Sequence, residues 1–340
     1  MLLYKTIVQG RLEFGSDKTY NTVLTQFQNR AEGHYKHELV LKEEDIFVHE
    51  ENAIVIPRYV GQASEKWFKN TMILIGYCAQ FAVAGSLKAW MTNEGKILHY
   101  FPIEPNSEKI VVQSYLKGKS LVKQKGKQEE AIESLSKAIE KYDRHAQAYE
   151  RRGKVNFILK NYHDAERDYN KSLNIDDTNA HAYFGRAKIH TINEKYEEAI
   201  QDFEKALKTS VALQPLYWKS RRRKGELHMK LKQWEKAAFD LKLFGNRKFK
   251  KDDPNLPWHK TVLINYGLVL LEQEEYLTAI QVFDRCLEAE KGNSKVSRGV
   301  LLRHLGIAKK KAGKKDFKKI LKQAVEEGDK VAANILKQGK

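Results

Sequence analysis

Residues 149–182 read YERRGKVNFILKNYHDAERDYNKSLNIDDTNAHA and residues 183–216 read YFGRAKIHTINEKYEEAIQDFEKALKTSVALQPL; aligned, they keep the same residue type at several fixed slots. Ala131, Ala165 and Ala199 recur at one equal interval, and each has a tyrosine at the same distance before it: Tyr115, Tyr149 and Tyr183. Three positions before Ala165, Ala199, Ala237 and Ala279 stand Tyr162, Tyr196, Trp234 and Tyr276. Ala237 and Ala279 each arrive a few positions later than that interval requires, so the later copies carry small insertions. Twelve positions upstream of each alanine from Ala165 on lies a small residue (Gly153, Ala187, Gly225, Gly267), and four downstream of every copy's alanine a bulky one (Leu135, Tyr169, Phe203, Leu241, Phe283). Seven downstream come Ala138, Ser172, Ala206 and Cys286. Spacings of four and seven share one helical face, and the small slot upstream suits two helices approaching closely.

On these residues the chain resembles the tetratricopeptide repeat family over residues 111–290 and, in degenerate form, to its end. The interval between the first alanines is that family's period of about 34 residues. The resemblance implies an all-α solenoid of five to six helical hairpins, each burying its apolar face against the next pair. Departures are specific: Lys119 stands at the upstream small slot of the first copy, Phe244 at the small slot seven after the alanine of the fourth, and no copy ends in the family's usual proline. A last copy starts near Arg298, with Leu302, Leu305 and Gly306 in register, then Phe317, Leu321 and a capping helix over residues 329–336.

Before Ile110 this period is absent. Residues 3–14 alternate as a strand, and Ser16 or Asp17 caps a helix over residues 18–32 that presents Val23, Leu24 and Phe27. Residues 38–41, 46–49 and 53–56 read as short strands, and a second helix starts at Ser64 and runs to about residue 83. Residues 87–91 and 96–101 flank Asn93-Glu94-Gly95 as a hairpin. The order predicts an α+β domain over residues 1–105, with a ferredoxin-like sandwich as one fitting topology. Residues 103–107, beside Pro102 and including Pro105, form the linker to a repeat domain at 111–340.

At 340 residues the chain is long enough for two such bodies. Its net charge of +17 is uneven: residues 215–340 hold 30 Lys and Arg against 15 Asp and Glu. A basic patch is expected at Arg221, Arg223, Lys224, Lys248, Lys250 and Lys251, either as a solubilising outer face or as a field for an anionic partner. Cys78 and Cys286 fall in different expected domains on apolar stripes, which argues against a disulfide framework and for a reducing compartment. No secretory signal pattern opens the chain, and polar and glycine residues interrupt the apolar stretch 71–87 before the roughly 18 residues a membrane span needs. A cytoplasmic protein with no membrane partner is expected.

Motifs for chemistry are missing. The chain has no nucleotide-binding glycine pattern, no G-x-S-x-G and no H-E-x-x-H, so no catalytic residue and no cofactor is assigned. His34 and His37 have H-x-x-H spacing beside Glu38, yet no second pair completes a zinc site, so no metal is assigned. The weight moves from enzyme to binding protein.

The family resemblance further implies that the first helix of each hairpin lines a concave groove. By register the groove residues are Gln147, Glu150, Lys154 and Phe157 in the second copy, and His181, Phe184, Lys188 and Thr191 in the third. The fourth copy contributes Lys219, Arg222, Glu226 and Met229, and the fifth turns apolar with Thr261, Ile264, Leu268 and Leu271. Recurring cations suit a protein or peptide partner with spaced carboxylates. A chaperone-tail clamp is disfavoured, because Glu150 stands where a cation is needed. Two other readings compete: a nucleic-acid binder using the basic last third with Trp218, Phe249 and Trp258 as stacking rings, and an unrecognised enzymatic activity within residues 1–105.

Overall fold

Alternation of Thr6, Val8 and Leu12 with Ile7, Gln9 and Arg11 makes Tyr4–Glu13 a strand, β1. A computed structural model, which describes residues 2–289, 292 and 294–337, continues it with α1 (Asp17–Gly33), α2 (Glu43–Ile46), β2 (Phe47–Val48), β3 (Ala53–Ala63), α3 (Glu65–Ala79), β4 (Ala84–Asn93) and β5 (Lys96–Ile103). Ser16 and Ser64 cap α1 and α3 by accepting the amides of Thr19 and Trp67. The strands pair antiparallel in the order β2-β3-β1-β4-β5. Without β5 this is the ferredoxin-like βαββαβ order, and the hairpin through Glu94 and Gly95 adds β5 to the edge. β1 and β4 cross closely at two glycines. A Cβ on Gly10 would lie 2.2 Å from the Ser86 carbonyl, one on Gly85 2.2 Å from that of Arg11, and both glycines have positive φ.

Three short segments differ from the sequence expectation. Residues 38–41 form no strand, because their backbone bonds to α3 instead: the Val40 amide donates to Thr71 Oγ1 (2.8 Å) and Asn70 to the Glu38 carbonyl (3.2 Å). Leu39 and Leu41 are buried all the same. Residues 46–49 are shared between the end of α2, the two residues of β2 and a 3-10 turn. β3 runs on through Pro57 to Ala63, since the register against β1 breaks between Val8 and Gly10 and the proline sits at that bulge, beyond the reach of β2.

The two faces of the sheet have different company. Val8, Leu12, Leu87, Ala89 and Met91 join Phe27, Phe68, Met72 and Ile75 of α1 and α3 in one apolar core. The opposite face carries Arg11, Glu13, Lys88 and Trp90, all buried or half-buried.

From residue 110 the chain is helical: α4 (Ile110–Leu121), α5 (Gln128–Lys141), α6 (Ala146–Ile158), α7 (Tyr162–Ile175), α8 (Ala180–Ile192), α9 (Tyr196–Lys208), α10 (Pro215–Lys230), α11 (Trp234–Gly245), α12 (His259–Glu272), α13 (Tyr276–Glu288), α14 (Arg298–Lys311), α15 (Phe317–Glu326) and α16 (Lys330–Lys337). The chain divides into two compact units, Met1–Arg186 and Ala187–Lys340. In the first, α4 packs on α5 and α6 on α7; in the second, α10 pairs with α11, α12 with α13 and α14 with α15.

The repeated slots explain the pairing. Ala131, Ala165, Ala199, Ala237 and Ala279 are fully buried, and a Cβ on Gly153, Gly225 or Gly267 would press on Tyr169, Leu241 or Phe283 at 3.1, 3.0 and 2.5 Å. The first copy keeps the contact one residue earlier than expected. Gly118, not position 119, faces Leu135 at 2.6 Å, which releases Lys119 to pair with Glu104 of the preceding connector. The insertion before α12 is packed, with Phe249 against Trp218, Phe244 and His259.

Candidate functional site

The expected groove residues meet different neighbours in the two units. On α6, Glu150 is 5% exposed and its Oε2 lies 3.2 Å from Arg151 Nε, while Gln147, Lys154 and Phe157 are half-buried. Strand β4 packs on this helix. The polar face of the sheet therefore meets α6 at Glu150 and Arg151, and leaves Lys154 and Phe157 half-buried. Burial lowers the Lys88 pKa, Arg151 lowers it further, and Glu104 and Glu150 oppose the shift. Glu150 is also the main cause of the rise at Arg151, with Tyr115 and Glu104 adding to it.

Further contacts fix the sheet to the hairpins. Arg11 donates to the Ile175 carbonyl (3.2 Å) and pairs with Glu13 and Glu51, both at 2.5 Å. Tyr142 donates its hydroxyl to Glu13 (3.0 Å), whose carboxyl is pushed up by burial against the pull of Arg11. Lys109 reaches the Phe81 carbonyl at 2.5 Å. His145, 1% exposed, caps α6 by accepting the Ala148 amide at Nδ1 (3.3 Å), and burial lowers its pKa to about 3.

On α8, His181 is open to solvent, while Phe184, Lys188 and Thr191 are half-buried. Crowding by protein lowers the His181 pKa, with Arg151, Lys88 and Lys154 adding to the effect and Glu150 opposing it.

In the second unit the corresponding residues are largely used by the fold. Arg222 is 2% exposed, lies 4.0 Å over the Trp258 ring and donates to Glu226 at 2.6 Å. Lys219 and Met229 are half-buried, and the Lys219 pKa is lowered by burial and then by Arg222 and Arg223. On α12, Ile264 belongs to the apolar core and Leu268 and Leu271 pack against it.

The basic patch separates into two kinds of residue. Arg221 pairs with Asp240 (2.7 Å), and Lys224 bridges Asp240 (3.3 Å) and Glu204 (3.4 Å). Arg223 is exposed beside Glu226, and Lys248, Lys250 and Lys251 are exposed on the loop before α12. Of the rings that could stack on bases, Trp218 packs edge-on to Phe244 and Phe249 and donates to the Ala212 carbonyl, while Trp258 carries Arg222.

One repeated slot carries no apolar signal and so does not stand out in the sequence. Asp168, Asp202 and Asp240 each stand three residues after the repeat alanine, and all are buried. Asp168 takes Arg152 through both its oxygens (2.7 and 3.0 Å), Asp202 lies 3.5 Å from His190, and Asp240 takes Arg221. The partner always comes from the preceding helix. These pairs bind the two helices of a hairpin rather than a ligand.

Among the described residues no group of three or more His, Cys, Asp or Glu is placed to hold a metal ion, and no helix is long and apolar enough to cross a membrane. Cys78 and Cys286 are buried free thiols, and burial pushes each up to about 12.

Family models and one solved structure agree with this helical pairing. Tetratricopeptide repeat models match residues 115–181 and 180–210. No curated protein matches the chain. Among solved structures, YrrB, described as a TPR protein with an unusual peptide-binding site, is 21% identical with a TM-score of 0.51, over 61% of this chain and 99% of that one. PilF of Pseudomonas aeruginosa is 19% identical with a TM-score of 0.49, over 68% of this chain and 98% of that one. The first TPR of Spaghetti (RPAP3), bound to an HSP90 peptide, is 25% identical with a TM-score of 0.33, over 36% of this chain and 92% of that one.

Proposed function

On the premise that residues 115–210 are tetratricopeptide repeats, we propose that this chain is a non-enzymatic scaffold whose repeat groove binds an acidic or mixed peptide segment of a partner protein. The observation that carries this reading is the recurrence of Lys154 and Lys188 at one slot of successive first helices, with Phe157 and Phe184 one turn away on the same helices. Cations spaced along a groove favour carboxylates, and the rings beside them favour the apolar residues between. The domain division we propose places the α+β domain at 1–105 and the repeats at 111–340, with the sheet engaging α6 only around Glu150 and Arg151. Two unpaired thiols fit a cytoplasmic setting.

Fluorescence anisotropy with an Asp- and Glu-spaced peptide tests the groove. The triple variant Lys154→Glu, Lys188→Glu and Lys219→Glu lowers affinity by at least about tenfold. Unchanged binding would remove the groove from the proposal. Arg222 is left in place, since its contacts with Trp258 and Glu226 make it part of the fold.

A further inference from the structure

A cavity of about 590 Å³ opens between α9, α10 and α11, lined by none of the groove slots, and its wall includes Glu197, Glu204, Glu235, Asp240, Lys224 and Phe239. Its charge runs against its setting. The basic last third supplies Lys224 and Lys236 here, against four carboxylates. Lys224 is already committed to Glu204 and Asp240, at 3.4 and 3.3 Å. Among the described residues Glu197 and Glu235 take part in no ion pair. Deeper in the wall, Asp240 is 1% exposed and its Oδ2 accepts no hydrogen bond, although the Lys224 ammonium is near. Phe239, 60% exposed, shares a helical face with Glu235 four residues before it. The protein itself shows what this ring accepts: the Arg221 guanidinium lies 5.7 Å from its centroid.

We infer that this cavity binds an arginine side chain of a partner polypeptide, the guanidinium stacking on the open face of Phe239 and pairing with Glu197 and Glu235. A planar cation fits this lining better than an ammonium, because it stacks and forms forked hydrogen bonds to carboxylates at once. The site shares no residue with the groove and is opposite to it in charge preference. A partner carrying both an acidic stretch and an arginine offers something to each.

The test uses the full chain with ring-labelled phenylalanine, titrated by NMR with acetyl-Gly-Gly-Arg-Gly-Gly-amide and with twins carrying citrulline or lysine. Phe239→Leu identifies the Phe239 resonance. That resonance shifts saturably with the arginine peptide, at least about tenfold more tightly than with the citrulline twin and more tightly than with lysine. Glu197→Gln with Glu235→Gln, both exposed and outside the core, weakens the arginine peptide by about tenfold and leaves the thermal midpoint in place. Equal binding of arginine and citrulline, equal binding of arginine and lysine, or an unaltered affinity in the double variant would overturn the inference. The groove variant Lys154→Glu with Lys188→Glu leaves this titration unchanged, so loss of the groove reading and loss of this one are told apart.

Discussion

The first-helix faces of α6 and α10 come from the same repeat pattern, yet one meets a sheet at Glu150 and Arg151 and the other satisfies itself. On α6, Glu150 and Arg151 meet Lys88 and Glu104 from the α+β part, and the cluster makes sense only with the strand in place. On α10, Arg222 finds Glu226 one turn away and Trp258 just ahead of α12. Register thus specifies where a side chain stands but not what it meets. A groove slot is a position, and its use depends on what else the chain brings there.

The largest expected effect tests whether the two sets of hairpins are equally tight. Phe283→Ala in the second unit and Tyr169→Ala in the first, both essentially unexposed, each cost about 3–5 kcal/mol in urea denaturation. A cost near zero at either site would show that hairpin to be loosely packed. Next come the repeated acids. Asp240→Ala strands Arg221 and Lys224 and costs about 3–4 kcal/mol; Asp168→Ala strands Arg152 and Asn156 and costs a similar amount. The double variant Asp240→Ala with Arg221→Met recovers part of the loss if the pair is the cause.

Acid acts through a buried histidine of the first unit. His145 has a folded pKa of about 3 against an ordinary 6.5, so the folded state stays neutral while the unfolded chain takes up a proton as pH falls below 6.5. Its contribution to stability is intact above that value and falls by about 1.4 kcal/mol per pH unit until the folded pKa is reached. His145→Asn keeps a helix-capping acceptor and removes this slope, read as the difference in urea midpoint between pH 7 and pH 5. The smallest effect concerns the α6 face that meets the sheet. Glu150→Gln leaves Arg151 without its counter-ion and costs about 1–2 kcal/mol, with faster amide exchange in β4, whereas Glu226→Gln changes exchange only within the second unit.

The repeats are legible because their information is local. Ala165, Gly153 and Tyr169 belong to slots that recur at fixed spacing, and each contact closes within a hairpin. The slip at Lys119 shows the limit: the period fixes the slot to within a residue, and only the packing of Gly118 on Leu135 sets the phase. Residues 38–41 have the apolar content of a strand, but their hydrogen bonds go to Thr71 and Asn70 of α3, far along the chain, which no alternation could reveal. The groove residues are readable as positions on first helices. That Arg222 is a packed cation and Glu150 lies under a sheet depends on Trp258 and β4, which the repeat period does not encode. Asp168, Asp202 and Asp240 keep their place in the three middle copies, but a search for recurring apolar and small residues passes over buried acids.

The bond from Arg11 to the Ile175 carbonyl joins residues 164 apart. During translation the sheet emerges first, and this contact waits for α7, an interval of roughly 4–14 s at ordinary elongation rates. Until then Trp90, Glu13 and Arg11 face solvent on a nascent chain. A synonymous-codon change that slows elongation between residues 104 and 175 lengthens that exposure and leaves the finished molecule identical.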